Sequence, residues 1–316
     1  NSTDGYSAFQ SLVDQIVPLE PDFATFCELY KNGDDMVMKK LVAALKERGL
    51  TYYAETGFGK GGGGARGLLS KYPIEETELI NSWMFKGVCN VDGKRIAIYP
   101  SHSNYVYYSC YYPRGYNDGG GNSGWEKLPD GPNTDVSEIL ERNALSGRPE
   151  SAREFVENAK KELDKGAIVI LAGDLNEPSH LDWVESTKDM FEHNCCIVPW
   201  QTSLLLTESG FIDAFRQMYP DPATHPGLTW PVNNKGIPVS DLAWAAEADE
   251  RDRIDYIYYY PDSRFSLVDI KMVGPTGTIV RGERVAADTQ EPIIDQAGEH
   301  WPSDHRGLLM TIRWNE

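Results

Sequence analysis

The sequence predicts an α/β fold in which two mostly antiparallel β-sheets pack face to face with helices outside them. Three features carry this expectation. Segments with strand character outnumber those with helical periodicity. The helical stretches are few, and a cap or a glycine bounds the clearest of them. The run Ile168-Val169-Ile170-Leu171-Ala172 is apolar without alternation, as a strand covered on both faces requires.

In chain order, residues 7–17 read as a helix, and Pro21-Asp22-Phe23-Ala24-Thr25-Phe26-Cys27-Glu28 as a short strand ending on a Glu. Residues 35–48 form a second helix, closed by Gly49 in a left-handed conformation. Strands follow at 50–54, 66–70, 78–85, 94–101 and 105–112. The Gly-rich stretch 57–64 lacks the Gly-Lys-Ser/Thr ending of a phosphate-binding loop and reads as a hairpin or rim loop. From 111 to 149 the chain is a long loop with one short helical stretch at 136–143; Tyr112, Tyr116 and Trp125 either wall a substrate or pack the loop down. Ser151 and Glu154 make a capping box for a helix that buries Phe155, Val156, Ala159 and Leu163 and stops at Gly166. The remaining strands are 168–172, 254–260, 265–273 and 308–314.

The 316 residues fit one large domain, because the acidic residues that must converge lie near both ends; that domain is expected to take in residues 1–316. A hydrophobic content of 41% suits a sizeable core, and no run reaches the length of a membrane span. The chain opens at Asn1 with no charged-then-apolar leader, so the compartment stays open, with a secreted or periplasmic setting if a leader was removed. Five cysteines without Cys-x-x-Cys spacing indicate neither a zinc site nor a disulfide framework; Cys27 reads as a small core residue. The net charge of −18 opposes non-specific adhesion to polyanions. Residues 60–114 run against it, with seven basic side chains (Lys60, Arg66, Lys71, Lys86, Lys94, Arg95, Arg114) to four acidic ones, a basic patch suited to a phosphate-bearing substrate.

Chemistry concentrates at strand ends. Gly173-Asp174-Leu175-Asn176-Glu177 terminates the apolar run with a carboxylate beside a carboxamide. Trp301-Pro302-Ser303-Asp304-His305 delivers an Asp-His pair to the start of the last strand, and Arg253-Ile254-Asp255-Tyr256 places one Asp among large apolar neighbours. Taken in order, Glu28, Ser70-Lys71-Tyr72-Pro73-Ile74, His102, Gly-Asp-Leu-Asn, Arg-Ile-Asp-Tyr and Ser-Asp-His resemble the endonuclease/exonuclease/phosphatase superfamily over residues 18–312. The wording Gly-Asp-Leu-Asn-Glu-Pro-Ser-His-Leu-Asp-Trp and Leu228-Thr229-Trp230-Pro231 is similar to bacterial members without an assigned substrate.

The resemblance implies the four-layer, DNase I-like α/β sandwich and hydrolysis of a phosphate ester. It assigns a divalent metal to Glu28, with Asp304 as a direct or water-mediated ligand, and an oxygen-only set of this kind suits Mg²⁺ or Mn²⁺. The family also places an Asn at the end of its first strand. Asn1 is spaced for that role, but nothing before it forms the strand. Asp174 is expected to orient or deprotonate the attacking water, and Asn176 to hold the phosphate or the nucleophile. His305 and His102 would donate to non-bridging oxygens, with Asp255 fixing the ring of His305. His180, Trp183, Trp230 and Tyr112 are candidate substrate contacts, while His193, His225 and His300 read as structural. The expected substrate is small or a head group rather than nucleic acid, since no Lys/Arg-rich tract is present. A nuclease is the alternative enzyme, and a catalytically inactive binding protein the alternative of another class. Oligomeric state is open.

Overall fold

The computed structural model describes residues 7–29, 36–57, 65–286, 291–295 and 300–316. Its elements are α1 (Ala8–Leu19), β1 (Phe23–Leu29), α2 (Met36–Glu47), β2 (Tyr53–Gly57), β3 (Ala65–Ser70), β4 (Ile74–Asn81), β5 (Met84–Val91), β6 (Lys94–His102), α3 (Val136–Ala144), α4 (Arg148–Asp164) and β7 (Ile168–Asp174). The chain continues through α5 (Gln201–Glu208), β8 (Ile212–Asp213), α6 (Ala214–Met218), β9 (Asp255–Tyr259), β10 (Phe265–Val273), β11 (Thr278–Val280), β12 (Glu283–Val285), β13 (Ile293–Ile294) and β14 (Gly307–Trp314).

One sheet has six strands in the order β4-β5-β6-β7-β9-β8, with β6 and β7 the parallel pair. Two three-stranded sheets, β1-β3-β2 and β13-β10-β14, lie opposite it. Alternation along the central strands divides their apolar residues between two cores. Ala97, Tyr99, Val169 and Leu171 join Phe155 and Ala159 of α4 and Leu206 of α5 on one face. Ile96, Ile98, Ile168 and Ile170 meet Leu68 of β3, Ile270 and Met272 of β10 and Met310 of β14 on the other. Beyond the smaller sheets, Val13 and Ile16 of α1 and Leu41 and Leu45 of α2 close on Leu69, Ala24 and Phe26. Helices, sheet, sheets and helices thus make the four layers of the DNase I-like sandwich. Among the described strands β1 and β14 are each paired along one edge only. Asn1 lies outside the described residues, as does most of the Gly-rich stretch, 58–64.

Three local expectations are corrected. The 78–85 segment is not one strand but the end of β4, a turn and the start of β5, because the Asn81 side chain accepts from Trp83 N at 2.9 Å and folds the chain back. The 105–112 segment is not a strand either. The buried Arg148 guanidinium takes the carbonyls of Asn104, Val106 and Tyr107 at 2.8–3.1 Å, so those acceptors are spent on a side chain instead of a ladder. The capping box does not start α4, which begins at Arg148 after Gly147 (φ +78°). Ser151 Oγ and Glu154 Oε2 instead accept from Asn81 Nδ2 at 3.0 and 2.7 Å, tying the helix to the sheet.

Candidate active site

The site is set by register. His102 at the end of β6 pairs with Asp174 at the end of β7, and Asp174 pairs with Asp255 at the start of β9, so three neighbouring strands bring three functional residues abreast. The approach of β7 to β6 depends on Gly173 (φ +147°), where a Cβ would stand 2.0 Å from the Ser101 carbonyl oxygen. Asp174 is buried, and both its oxygens are engaged. Oδ1 accepts from Asn176 N at 2.7 Å and Oδ2 from Asn176 Nδ2 at 2.9 Å. Asn176, itself at φ +48°, also donates Nδ2 to the Ser103 carbonyl at 3.0 Å. The carboxamide therefore fixes the carboxylate to the end of β6.

His305 comes from the turn before β14, and its Nδ1 lies 2.9 Å from Asp255 Oδ2, the carboxylate–imidazole pair the sequence predicts. Asp174, Asp255 and His305 offer metal-ligating atoms all within 4.8 Å of one another. Glu28 reaches the same point from β1, where its φ of +52° and a register shift between Phe26 and Leu29 mark a bulge. Glu28 Oε1 and Asp174 Oδ2 stand 3.6 and 3.8 Å from His102 Nε2. Asp304 Oδ2 accepts from Trp230 Nε1 at 3.3 Å.

Charge in this cluster is unbalanced. Burial, then the charges of Asp255 and Glu28, push the Asp174 carboxyl well above its usual range, against the lowering effect of His305. Glu28 is pushed up as well, by partial desolvation and by Asp304 and Asp255 against the opposing His305, though its side chain stays 54% exposed and the push is correspondingly screened. Burial alone would lower the His305 imidazole, but the charge and hydrogen bond of Asp255 together with Asp304 and Asp174 outweigh it and hold the ring well above its usual value. His102 goes the other way, to about 4, through burial and the neighbouring His305 and Arg66. The two imidazoles are thus pushed in opposite directions, His305 toward its charged form and His102 toward its neutral one. Crowded oxygen donors whose protons a cation would displace suit a hard divalent ion. Among the described residues, Asp174, Asp255 and His305 are the group close enough together to hold one, with Glu28 beside them.

Sequence reasoning missed several supports. Thr229 Oγ1 accepts from both Ile254 N and Asp255 N, at 3.1 and 3.2 Å, and the Thr229 carbonyl takes Arg306 N at 2.8 Å, so one residue of the Leu-Thr-Trp-Pro segment ties β9 to the turn carrying His305. Cys27 is more than filler, since its Sγ lies 3.1 Å from the Ser101 carbonyl and 3.5 Å from Asp174 N. Trp230 lies at the site, 6.3 Å from the His305 ring. The other candidate contacts lie elsewhere. His180 Nδ1 is 2.9 Å from Ser203 Oγ on α5. Trp183 is buried and stacked on His193 at 3.7 Å, and Tyr112 is buried beneath the Arg142 guanidinium.

The basic patch is also corrected. Arg66, Lys86 and Arg114 are buried. Lys86 pairs with Glu78 and Glu162, Arg95 with Glu76 and Glu162, and Arg114 with Asp252, all at 2.5–2.8 Å. Lys71 stands 3.4 Å from Asp22, Lys94 sits over Trp314, and Lys60 lies outside the described residues. Lys86, Arg95 and Arg114 thus serve carboxylates of the fold, and Arg66 donates to the Ser82 carbonyl.

Fixed carboxylates around an imidazole held toward its charged form answer the needs of phosphate-ester hydrolysis, where negative charge on the phosphoryl oxygens must be offset while water is aimed. Fold and site together define a phosphate-ester hydrolase. The chain matches the Endonuclease/Exonuclease/phosphatase family over residues 4–305 and belongs to it. Among solved structures it is similar to the 3′ phosphatase NExo from Neisseria bound to product DNA hairpin (15% identity, 96% of this chain and 93% of that one, TM-score 0.55). An endonuclease/exonuclease/phosphatase from Beutenbergia cavernae (14%, 99% and 68%, 0.52) and D. rerio TDP2 complexed with single-strand DNA product (15%, 97% and 91%, 0.50) share the fold. A Caenorhabditis elegans protein, F14F9.5, is 40% identical over 92 residues, which is 29% of this chain and 27% of that protein. No helix among the described residues is long and apolar enough to cross a membrane.

Proposed function

We propose that the protein is a divalent-metal-dependent phosphoesterase acting on a small or head-group phosphoester. The alignment of His102, Asp174 and Asp255 on three adjacent strands, with Asn176 clamping Asp174 and Asp255 holding His305, carries this reading. Asp174, held rigidly by two hydrogen bonds from Asn176, orients the attacking water and accepts its proton. The His305 cation faces the phosphoryl oxygens as a charged donor, while His102 serves as a neutral one. Asp255 keeps the His305 ring oriented and protonated on Nδ1. A bound Mg²⁺ or Mn²⁺ would supply further neutralisation of phosphoryl charge, with Glu28, Asp304 and Asp174 as its holders.

The small-substrate reading is supported by the net charge of −18 and by the pairing of Lys86, Arg95 and Arg114 with carboxylates of the fold. A second reading, action on DNA ends, is favoured by what NExo and TDP2 are bound to in their structures. One experiment serves both. Metal-free protein is assayed on small phosphoesters, plasmid and single-stranded DNA, with and without Mg²⁺ or Mn²⁺, across a salt series. We expect hydrolysis only with the ion and little salt dependence. Full activity after thorough chelation would overturn the metal-dependent mechanism. Efficient DNA cleavage falling steeply with salt, by about 0.9 in log K per log salt for each phosphate contact with a duplex, would overturn the substrate size.

A further inference from the structure

Two large aromatic residues stand exposed beside the site on backbone that is itself well held. Tyr105 is 54% and Trp244 53% exposed, and the half-buried Trp125 lies between them, with ring centroids 6.5 and 5.4 Å from theirs. The planes of Tyr105 and Trp125 differ by 26°. Below, Trp125 rests edge-on against Tyr111 at 5.7 Å, and contacts of 5.0, 6.3 and 6.3 Å lead from Tyr111 through Tyr108 and Trp230 to the ring of His305. The exposed rings thus cap a continuous run of aromatic packing, buried at Tyr111, Tyr108 and Trp230, that ends at the ring of His305.

The run is built to stay in place. Gly119 (φ +68°) makes room for the Trp125 indole, which a Cβ there would meet at 2.4 Å. Trp244 N and Ala245 N donate to the buried Glu250 at 3.2 and 2.9 Å, and the Tyr111 hydroxyl donates to the same carboxylate. Tyr105 follows Ser103, whose N donates to the Asp174 carbonyl at 2.9 Å. Three residues of chain separate it from His102, which bounds their Cα separation at about 11 Å. The nearby Lys127 is taken up by Glu247 at 2.5 Å, and the rings themselves offer flat π-faces.

The geometry points to a stacking subsite in which Tyr105, Trp125 and Trp244 receive a planar aromatic ring, a nucleobase or an aryl group, carried by the phosphoester substrate. The inference rests on the phosphoesterase reading and names its substrate class. Rigid aromatic platforms bind such rings by stacking with little regard to substituents. One ring held beside the segment that follows His102 orients the ester for attack without the multiple phosphate contacts that the acidic chain disfavours.

The test compares matched esters. Wild type, Trp244→Ala, Trp244→Phe and Tyr105→Ala are assayed with Mg²⁺ on p-nitrophenyl and nucleoside phosphoesters and on their ethyl and glyceryl counterparts. We expect each Ala variant to lose about tenfold in kcat/KM on the aromatic esters, mostly through KM, and to stay within about twofold of wild type on the alkyl esters. Trp244→Phe should retain most of the wild-type value. The p-nitrophenyl and nucleoside arms tell an aryl group from a base. Equal losses on both ester sets, or none on either, would overturn the subsite. Should wild type hydrolyse no ester, the phosphoesterase reading fails by itself. Quenching of tryptophan fluorescence by adenosine monophosphate but not by ribose phosphate, lost in Trp244→Ala, then decides the subsite separately.

Discussion

Two buried aspartates eight positions apart in the chain meet opposite fates. Asp182 is surrounded by guanidinium groups. Arg216 Nε lies at 2.6 Å from it and Arg253 Nε and Nη2 at 2.9 and 3.0 Å, while the remaining Arg253 nitrogen pairs with Asp213 at 2.8 Å. Burial would raise its carboxyl, but the two arginines override that and lower it. Asp174 has carboxylates for neighbours, a single imidazolium to offset them, and a carboxyl held high. The first region compensates its charge internally, and the second leaves compensation to something that arrives. Such imbalance, retained beside full balance, separates a functional site from a structural network made of the same residue types.

The largest expected effect comes from breaking the balanced region. Asp182→Ala leaves two buried guanidinium groups without their shared partner and should cost about 3–5 kcal/mol in unfolding free energy by denaturant titration. A loss below about 1 kcal/mol would show that the network is not what holds the 173–183 segment. In the unbalanced region the outcome inverts. Asp174→Asn removes a repelled charge and should leave the unfolding midpoint of metal-free protein unchanged or raised, while turnover falls at least ~10², the usual scale for a general base. Wild-type turnover in that variant would remove Asp174 from its role.

The fold class was legible in the sequence, and so was the convergence of Asp174, Asn176, His102, Asp255 and His305, for a physical reason. Gly173, Asp174 and Asn176 are bound together within four residues, so a local motif records their geometry. Sheet register then aligned them with His102 and Asp255, each readable as a polar residue at the end of an apolar strand. Apart from the Asn81 turn within 78–85, what failed depended on partners far along the chain. A local count of charge made a patch of Lys86, Arg95 and Arg114, whose buried partners Glu162 and Asp252 lie 76, 67 and 138 residues away. Ser151 looked like a cap because Asn81, 70 residues earlier, was not in view. The tyrosine-rich 105–112 stretch has strand composition, and only the buried Arg148 some 40 residues on explains why it cannot pair. Thr229 carried no signal of its own, since accepting two backbone N–H groups requires only a hydroxyl in the right place.

The smallest effect, and the one that sharpens the contrast furthest, is the pH dependence of stability. The Asp182 carboxyl lies below its unfolded value of 3.8, so its contribution is present above that pH and is lost as pH falls through the folded value. Asp174 and Glu28 lie above their unfolded values of 3.8 and 4.5, so the folded state binds the extra protons. Their contribution is present in acid and is lost as pH rises through the folded values. His305, raised from 6.5, adds a loss of the same sign at higher pH. Metal-free wild type should therefore show a midpoint that climbs out of strong acid and then declines toward neutral and alkaline pH. A divalent cation lowers the carboxyl values it meets, so adding Mg²⁺ should flatten the declining limb and leave the acid limb alone. Asp174→Asn should flatten the same limb in part without the ion. Thermal melts from pH 3 to 9, with and without MgCl₂, check this, and a declining limb indifferent to both the ion and the substitution would place the imbalance somewhere other than this cluster.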